Sequence, residues 1–209
     1  MKLYYTPGAC SLATHIVLRE AGFDFETEKV DLSTHRTESG ADFYTINPKG
    51  YVPALVLDDG QVLTEGGAIL QYLADLKRES RLAPPAGTLE RARLQEQLIF
   101  VAAELHKAYG PLFMPGASED AKAAARKQVA RRLDHVERQL GDGRPYLLGE
   151  QLTVADIYLF VVAGWAGEKG IGLERWPKLA AFLERIGSRP AVRAALEAEG
   201  LAEKTPQAA

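Results

Sequence analysis

Apolar residues along the first eighty positions alternate between strand-like and helix-like spacing. The runs have strand length at 2–5, 25–30, 54–57 and 61–63, and they have helical spacing at 11–21 and from 66 onward. Turn residues separate them, with Thr6-Pro7-Gly8 after the first run and Asp58-Asp59-Gly60 between the last two. The order β-α-β, a polar segment, then β-β-α predicts a mixed sheet with a parallel half and an antiparallel hairpin. We therefore predict an α/β domain over 1–80.

The chain from residue 88 onward carries only helical patterns, after a linker rich in Pro and Ala at 81–87. Apolar residues spaced by three or four positions mark two helices, at Leu94, Leu98, Val101, Leu105 and Tyr109, and at Val129, Leu133, Val136 and Leu140. Further helices are predicted to begin near Thr153, Trp176-Pro177 and Arg189-Pro190. Asp156 stands three residues after Thr153, where it can accept from the N-cap backbone. These patterns predict an all-α domain over 88–209 with a frayed tail at 203–209.

Composition narrows the classes of protein that this chain can belong to. Of its 209 residues, 46% are hydrophobic and 25% are charged, which excludes a disordered chain. The formal net charge of -3 gives no global electrostatic case for nucleic acid or an anionic membrane. The most apolar run, 157–165, is far shorter than the roughly 20 residues of a spanning helix, and no signal-peptide pattern opens the chain. We expect a soluble cytoplasmic protein with no nucleic-acid or membrane partner.

Cys10 is the only cysteine, so the chain has no intramolecular disulfide and no cysteine-built zinc site, which fits a reducing compartment. It precedes a helix predicted from Ser11, and the unpaired N–H groups of a helix N-terminus stabilise a thiolate. A small buried cysteine without chemistry is the open alternative. Because position 13 is alanine, dithiol exchange within the chain is excluded, while a mixed disulfide with a small external thiol stays possible.

Two segments near the predicted hairpin bear on ligand binding. Val52-Pro53 stands directly before a strand, where a proline needs no ladder N–H, and general preference favours a trans bond there. Thr64-Glu65-Gly66-Gly67 precedes a helix, whose first N–H groups suit a carboxylate while Glu65 suits an ammonium. Together they fit the head of an α-amino acid. The alternative is a glutamate that only stabilises its own helix start.

His106 lies at the edge of the apolar stripe of the first helix after the linker, roughly 100° from its centre. It is a candidate for polarising a bound thiol, and a half-exposed histidine without a role is the alternative. His15, His35 and His135 show no metal-ligand spacing, so we predict no metal. Phosphate-binding glycine motifs and the G-x-S-x-G motif of hydrolases are also absent.

These features, in this order, resemble one family. The resemblance is carried by Met1-Lys2-Leu3-Tyr4-Tyr5, Pro7-Gly8-Ala9-Cys10-Ser11-Leu12, Asn47-Pro48-Lys49-Gly50-Tyr51-Val52-Pro53-Ala54-Leu55, Leu63-Thr64-Glu65-Gly66, Glu104-Leu105-His106-Lys107 and Leu152-Thr153-Val154-Ala155-Asp156. The motif Pro-Gly-Ala-Cys-Ser, followed later in the chain by Glu-Leu-His-Lys, is specific to this family. The Val-Pro pair before a strand is shared across the thioredoxin-like superfamily. The sequence resembles a beta-class bacterial glutathione S-transferase, in the group that includes aromatic-degradation transferases, over nearly its whole length.

The resemblance implies a thioredoxin-like N-terminal domain, an all-helical C-terminal domain and a homodimer. It implies glutathione as co-substrate along the first domain, a hydrophobic electrophile in the inter-domain cleft, and a role in detoxification or xenobiotic degradation. By resemblance, Val52 pairs its backbone with the cysteinyl part of glutathione, and Pro53 is cis. The remaining glutathione contacts are implied at Glu65 and Gly66 for the γ-glutamyl head, at Cys10 and His106 for the sulfur, and at Ala103 and Glu104, where the partner subunit can contribute.

Two positions depart from the family pattern. Many members carry lysine at the position of His35, where it meets the glycyl carboxylate, and a histidine is mostly neutral at pH 7. Others carry asparagine where this chain has Ile99. Both departures bear on the affinity for glutathione and not on the fold.

The leading hypothesis is conjugation of glutathione to small hydrophobic electrophiles held by Tyr109, Phe113 and Trp165. The helix N-terminus at Ser11 and a donor from His106 would lower the thiol pKa of glutathione from its ordinary value of about 8.5. Two alternatives stay open. One is a Cys10-dependent mixed disulfide that supports redox chemistry or reductive dehalogenation, and the other is a non-catalytic carrier of apolar ligands.

Overall fold

The sheet of the N-terminal half has five strands in the order β3-β2-β1-β4-β5. The structure is a computed structural model, and it describes residues 1–202. The strands are β1 (Lys2–Tyr5), β2 (Glu26–Asp31), β3 (Arg36–Thr37), β4 (Ala54–Val56) and β5 (Val62–Thr64). β1 pairs in parallel with β2, and every other pairing is antiparallel. The predicted mixed sheet is therefore confirmed.

Two helices cover this sheet, α1 (Ser11–Glu20) and α2 (Gly66–Leu76), as the apolar spacing predicts. Gly22 follows the C-cap of α1, and its φ of +68° lies in the left-handed region that glycine adopts without a Cβ penalty. The two helices pack against each other, and their apolar faces are buried together with the inner strands. The two-residue strand β3 was not predicted, because two residues are too few to show a period.

Contacts divide the chain into two compact units. The N-terminal unit comprises Met1–Leu82 and the described residues from Gly187 onward, and the helical unit comprises Ala83–Ile186. The last helix, α8, therefore groups with the sheet, although the sequence assigned 88–209 to one helical domain. The physical reason is polar and apolar contact with α1: α8 packs on it, and Arg189 forms an ion pair with Glu20.

The helical unit is built from long helices around one buried helix. Its elements, with the last helix of the chain, are α3 (Leu89–Ile99), a π-helical segment (Phe100–His106), α4 (Gly110–Phe113), α5 (Glu119–Gln139), α6 (Val154–Glu168), α7 (Pro177–Gly187) and α8 (Pro190–Ala198). The apolar residues that predicted α3 and α5 are buried, and so is most of α6. The short helix α4 was not predicted, and the expected frayed tail at 203–209 lies outside the described residues.

The start of α6 is fixed by the predicted cap. Asp156 Oδ2 accepts from the backbone N–H and from the hydroxyl of Thr153, each at 2.7 Å, and its Oδ1 accepts from the N–H of Leu147 at 2.7 Å. All of these bonds are buried. Burial raises the pKa of Asp156 to about 6, although the bonds from Leu147 and Thr153 oppose that shift. The cap thus joins the loop before α6 to its first turn.

Candidate active site

Cys10 lies directly before α1, and its thiol donates to the carbonyl oxygen of Val52 at 3.4 Å. The residue is half-buried by exposed area, but enough protein surrounds its sulfur to raise the pKa of the thiol to about 11. The charge of Glu65 adds to this rise, while the N–H groups of Cys10 and Ser11 oppose it. The sequence predicted a lowered pKa from the helix N-terminus. The structure gives the opposite direction, because burial outweighs the helix N–H groups.

The loop before β4 is held by a buried side chain. Asn47 is buried, and its side-chain amide donates to the carbonyl of Tyr51 at 2.6 Å. The Val52–Pro53 peptide bond is cis, as the resemblance implied. Gly50 in this loop has a φ of +70°, and a Cβ there would lie 2.7 Å from Cε1 of Tyr44. Only glycine therefore fits at this position without displacing a neighbour.

Glu65 stands directly before α2 with a φ of +71°, which is unusual for a residue with a side chain. Its carboxylate is exposed and pairs with the Lys49 ammonium at 2.6 Å, and the same ammonium reaches the Thr64 hydroxyl at 3.1 Å. Next to it, the first N–H groups of α2 belong to Gly66 and Gly67, and the first turn of a helix has no intrahelical acceptor for them. Glu65 thus places a carboxylate beside backbone N–H groups for which the helix itself has no acceptor.

His35 lies close to this loop within the N-terminal unit. Its ring centroid is 4.5 Å from that of Tyr44, and its backbone φ is +52°. Its Nδ1 is buried and has no hydrogen-bond partner among residues 1–202. The structure therefore fixes the ring by stacking and leaves one ring nitrogen unsatisfied.

A buried polar group supports the segment that leads to Cys10. The carboxylate of Glu199 accepts from the Gly8 N–H at 2.9 Å and contacts His15 Nδ1 at 2.9 Å. Arg19 Nε donates to His15 Nε2 at 3.0 Å, so Nδ1 carries the imidazole proton and donates to Glu199. The sequence does not reveal this group, because 184 positions separate His15 from Glu199.

His106 ends the π-helical segment of the helical unit. Its ring centroid is 4.9 Å from that of Trp165 in an edge-to-face contact, and its Nδ1 lies 3.4 Å from the Tyr158 hydroxyl. Burial lowers the pKa of His106, and the charge of Lys107 adds to this shift. His106 is therefore a largely neutral imidazole near pH 7, held by two residues of α6. π-helical segments occur often at functional sites.

Trp165 contacts both of the other residues that were predicted to hold the electrophile, Tyr109 and Phe113. Its ring makes edge-to-face contacts with Tyr109 at 5.5 Å and with Phe113 at 5.1 Å between centroids. Tyr109 is completely buried, and its hydroxyl has no hydrogen-bond partner within the described chain. Burial raises the pKa of Tyr109 well above its ordinary value. Phe113 is 47% exposed and thus offers the accessible face of this aromatic cluster, which consists of His106, Tyr109, Phe113 and Trp165.

The remaining predicted positions lie on the surface of the helical unit. Ala103 and Glu104 are exposed in the π-helical segment, and Glu104 pairs with Arg132 at 3.0 Å. Ile99 is 65% exposed, so its apolar side chain gains little from burial here. Across residues 1–202, no group of three or more His, Cys, Asp or Glu side chains is arranged to hold a metal ion. No helix in this part of the chain is long and apolar enough to cross a bilayer.

Two family models match the chain. The model for "Glutathione S-transferase, N-terminal domain" matches residues 1–75, and that for "Glutathione S-transferase, C-terminal domain" matches residues 100–190. Together they cover most of the sequence, in the order that the resemblance implied. The chain belongs to the glutathione S-transferase family, and the sheet unit has the thioredoxin-like fold of that family.

Individual relatives narrow the class further. The chain is 48% identical over 201 residues to "Glutathione S-transferase GstA" of Escherichia coli O157:H7, covering 96% of this chain and 100% of that protein. It is 52% identical to a solved beta-class transferase of Sphingomonas chungbukensis, with a TM-score of 0.94 and coverage of 96% and 100%. It is also 52% identical to a sphingomonad transferase solved in complex with glutathione, with a TM-score of 0.93 and coverage of 97% and 100%. The chain is thus a transferase similar to the bacterial beta class.

Proposed function

We propose that this enzyme conjugates glutathione through its cysteinyl sulfur to small hydrophobic electrophiles, with loss of the thiol proton and of the electrophile's leaving group, and that glutathione binds along the N-terminal unit. The sphingomonad relative was solved with that tripeptide, and it matches this chain over nearly its whole length. The oligomeric state belongs to the same proposal: we expect a homodimer, as the family resemblance implies.

The contact between Lys49 and Glu65 is the observation that carries the proposal. An ammonium already sits 2.6 Å from the Glu65 carboxylate, beside the free first-turn N–H groups of α2. The γ-glutamyl head of glutathione carries an ammonium and a carboxylate on one carbon. Its ammonium would take the place of Lys49 at Glu65, and its carboxylate would accept from Gly66 and Gly67. Glu65 is exposed, so the exchange requires no opening of the fold.

Cys10 and Val52 complete this half of the proposed site. Since the raised pKa keeps the Cys10 thiol protonated, its S–H would turn from the Val52 carbonyl to donate to a bound sulfur anion, and the thiol is not itself a nucleophile. The backbone of Val52 would pair with the cysteinyl part of glutathione. The role of His106 as a second donor to the sulfur stays a prediction based on the resemblance, and so does the contact of His35 with the glycyl carboxylate.

The test is conjugation of glutathione to chlorodinitrobenzene, with Glu65→Gln as the variant. We expect turnover well above the uncatalysed rate, and a rise in the KM for glutathione of about tenfold in the variant, because a charge-assisted bond is lost. Glu79→Gln is the matched control, since Glu79 is an exposed acid of the same unit. Turnover that responds equally to both substitutions would remove Glu65 from the proposed site.

The structure weighs against Cys10 redox chemistry as the main activity. A mixed disulfide forms by attack of a thiolate, and the raised pKa of the half-buried Cys10 keeps its thiol protonated near neutral pH. Incubation with glutathione disulfide should therefore leave the mass of the protein unchanged over the time of the conjugation assay. Rapid addition of one glutathione, absent in Cys10→Ala, would favour the redox alternative instead.

A further inference from the structure

The helical unit contains a cavity of about 320 Å³ next to the aromatic cluster. It lies between α5 and the end of α6, and its lining residues are Leu112, Lys122, Arg126, Glu168, Lys169 and Gly170. The volume reaches the lower end of the range of small-molecule sites, about 300 Å³. Three of the six lining side chains are cations and one is a carboxylate, so the cavity favours an anion.

Two of these cations, Arg126 and Lys169, have no carboxylate within ion-pair distance among residues 1–202. Lys122 is already paired with Glu119 at 2.9 Å. Arg126 uses only its Nε, which donates to the Lys169 carbonyl at 3.2 Å, and its terminal nitrogens bind no residue of the described chain. Lys169 has no carboxylate within ion-pair distance among residues 1–202, and its ammonium lies 3.9 Å from the ring centroid of Phe113. An arginine fork beside an ammonium is the arrangement that recognises a carboxylate.

Phe113 connects this cavity with the aromatic cluster. One contact of its ring is with Lys169, and another is with Trp165 at 5.1 Å between centroids. The half-exposed Phe113 ring thus offers an apolar surface next to the Lys169 ammonium. A ligand that satisfies both groups has an aromatic body and an anionic substituent.

We propose that this cavity binds the carboxylate of an anionic aromatic electrophile whose ring lies against Phe113, with Arg126 and Lys169 as the residues that set the preference for anions. The consequence for catalysis rests on the proposed conjugation, but the binding does not. Glu168 opposes any anion, so the preference requires both free cations.

The experiment compares two electrophiles of the same ring, chlorodinitrobenzoate and the uncharged chlorodinitrobenzene. Quenching of tryptophan fluorescence gives the Kd of each without turnover, since Trp165 lies in the cluster. We expect the protein to bind the benzoate more tightly. Lys169→Met and Arg126→Gln should each reduce the ratio of the two affinities by roughly threefold to tenfold. Lys169→Arg, which keeps the charge, should retain the preference.

Lys127→Met is the matched control, because Lys127 is an exposed lysine of α5 that does not line the cavity. It should leave the ratio unchanged. Equal binding of the two electrophiles by the unsubstituted protein, or an equal loss for both in Lys169→Met, overturns the inference. A preference for the benzoate without any conjugation would instead support the cavity while refuting the proposed transferase substrate.

Discussion

The two units of this transferase present ligand groups of different kinds. The N-terminal unit offers backbone N–H groups, a carbonyl and an exposed carboxylate, set in place by residues at positive φ such as Gly50 and Glu65. The helical unit offers aromatic faces and cations, set in place by edge-to-face contacts around Trp165. The backbone groups and the carboxylate of the N-terminal unit suit a single peptide ligand whose structure does not vary. The helical unit depends on side chains, so its specificity can change by substitution while the helices remain.

The two units also differ in the buried carboxylate that stabilises each of them. In the helical unit, Asp156 binds groups that lie within nine residues of it. In the N-terminal unit, Glu199 binds Gly8 and His15, which lie more than 180 positions away in the sequence. One carboxylate therefore stabilises a local cap, and the other stabilises a contact between distant segments.

The largest effect is expected for the local cap. Asp156→Ala removes an acceptor from two buried N–H groups and one hydroxyl, which should lower the free energy of unfolding by about 3 kcal/mol. Urea unfolding at pH 7 measures the change. Asp120→Ala, at an exposed first-turn acid of α5, is the control and should change stability by no more than about 0.5 kcal/mol. Equal losses in the two variants would contradict a special role for the buried cap.

The same carboxyl gives a pH dependence with a defined sign. Its pKa is about 6 in the folded protein and about 3.9 in an unfolded chain, so the folded state binds the proton more tightly. Its stabilising contribution is therefore complete below pH 4 and decreases as the pH rises toward 6. Asp156→Ala should cost more stability at pH 4 than at pH 7, and the opposite order would contradict the raised pKa.

A smaller loss in the free energy of unfolding, about 2 kcal/mol, is expected when Gly50 of the N-terminal unit is replaced by alanine. Gly50→Ala places a Cβ at a φ of +70° and 2.7 Å from the Tyr44 ring. Gly60→Ala is a matched control, because Gly60 has a φ of +83° but open space around it. Thermal unfolding should show a greater loss for Gly50→Ala, together with weaker glutathione binding. Equal losses would mean that only the backbone conformation matters and that the close approach does not.

Replacing the long-range carboxylate of Glu199 by an amide of the same shape should lower the stability more modestly. Glu199→Gln leaves one oxygen to accept but deprives either Gly8 or His15 of a partner, at a cost of about 1.5 kcal/mol. Glu197→Gln, at an exposed position two residues earlier, is the control. Because Gly8 leads directly to Cys10, the KM for glutathione should rise in the first variant only. An unchanged KM would limit Glu199 to stability.

These cases show which parts of the molecule the sequence could predict. The Thr153 and Asp156 cap was predicted because three residues separate its partners, and the strands and long helices were predicted because their apolar periods are local. The protonated Cys10 was not predicted, since burial by distant segments outweighs the visible helix N-terminus. The grouping of α8 with the sheet depends on Glu199 and Arg189, whose partners lie near the other end of the chain. The contact of Lys49 with Glu65 was likewise hidden by a separation of 16 residues.

The smallest change in stability is expected at the aromatic cluster. A substitution there tests whether the helical unit binds the electrophile while the N-terminal unit binds glutathione. Phe113→Leu keeps an apolar side chain but removes the half-exposed ring, so the free energy of unfolding should change by less than about 1 kcal/mol. The KM for chlorodinitrobenzene should rise roughly threefold to fivefold, while that for glutathione stays constant. Met114→Leu, at the exposed neighbour, is the control and should alter neither constant. A parallel rise in both KM values would show that the aromatic cluster also contributes to glutathione binding, and the division between the units would then fail.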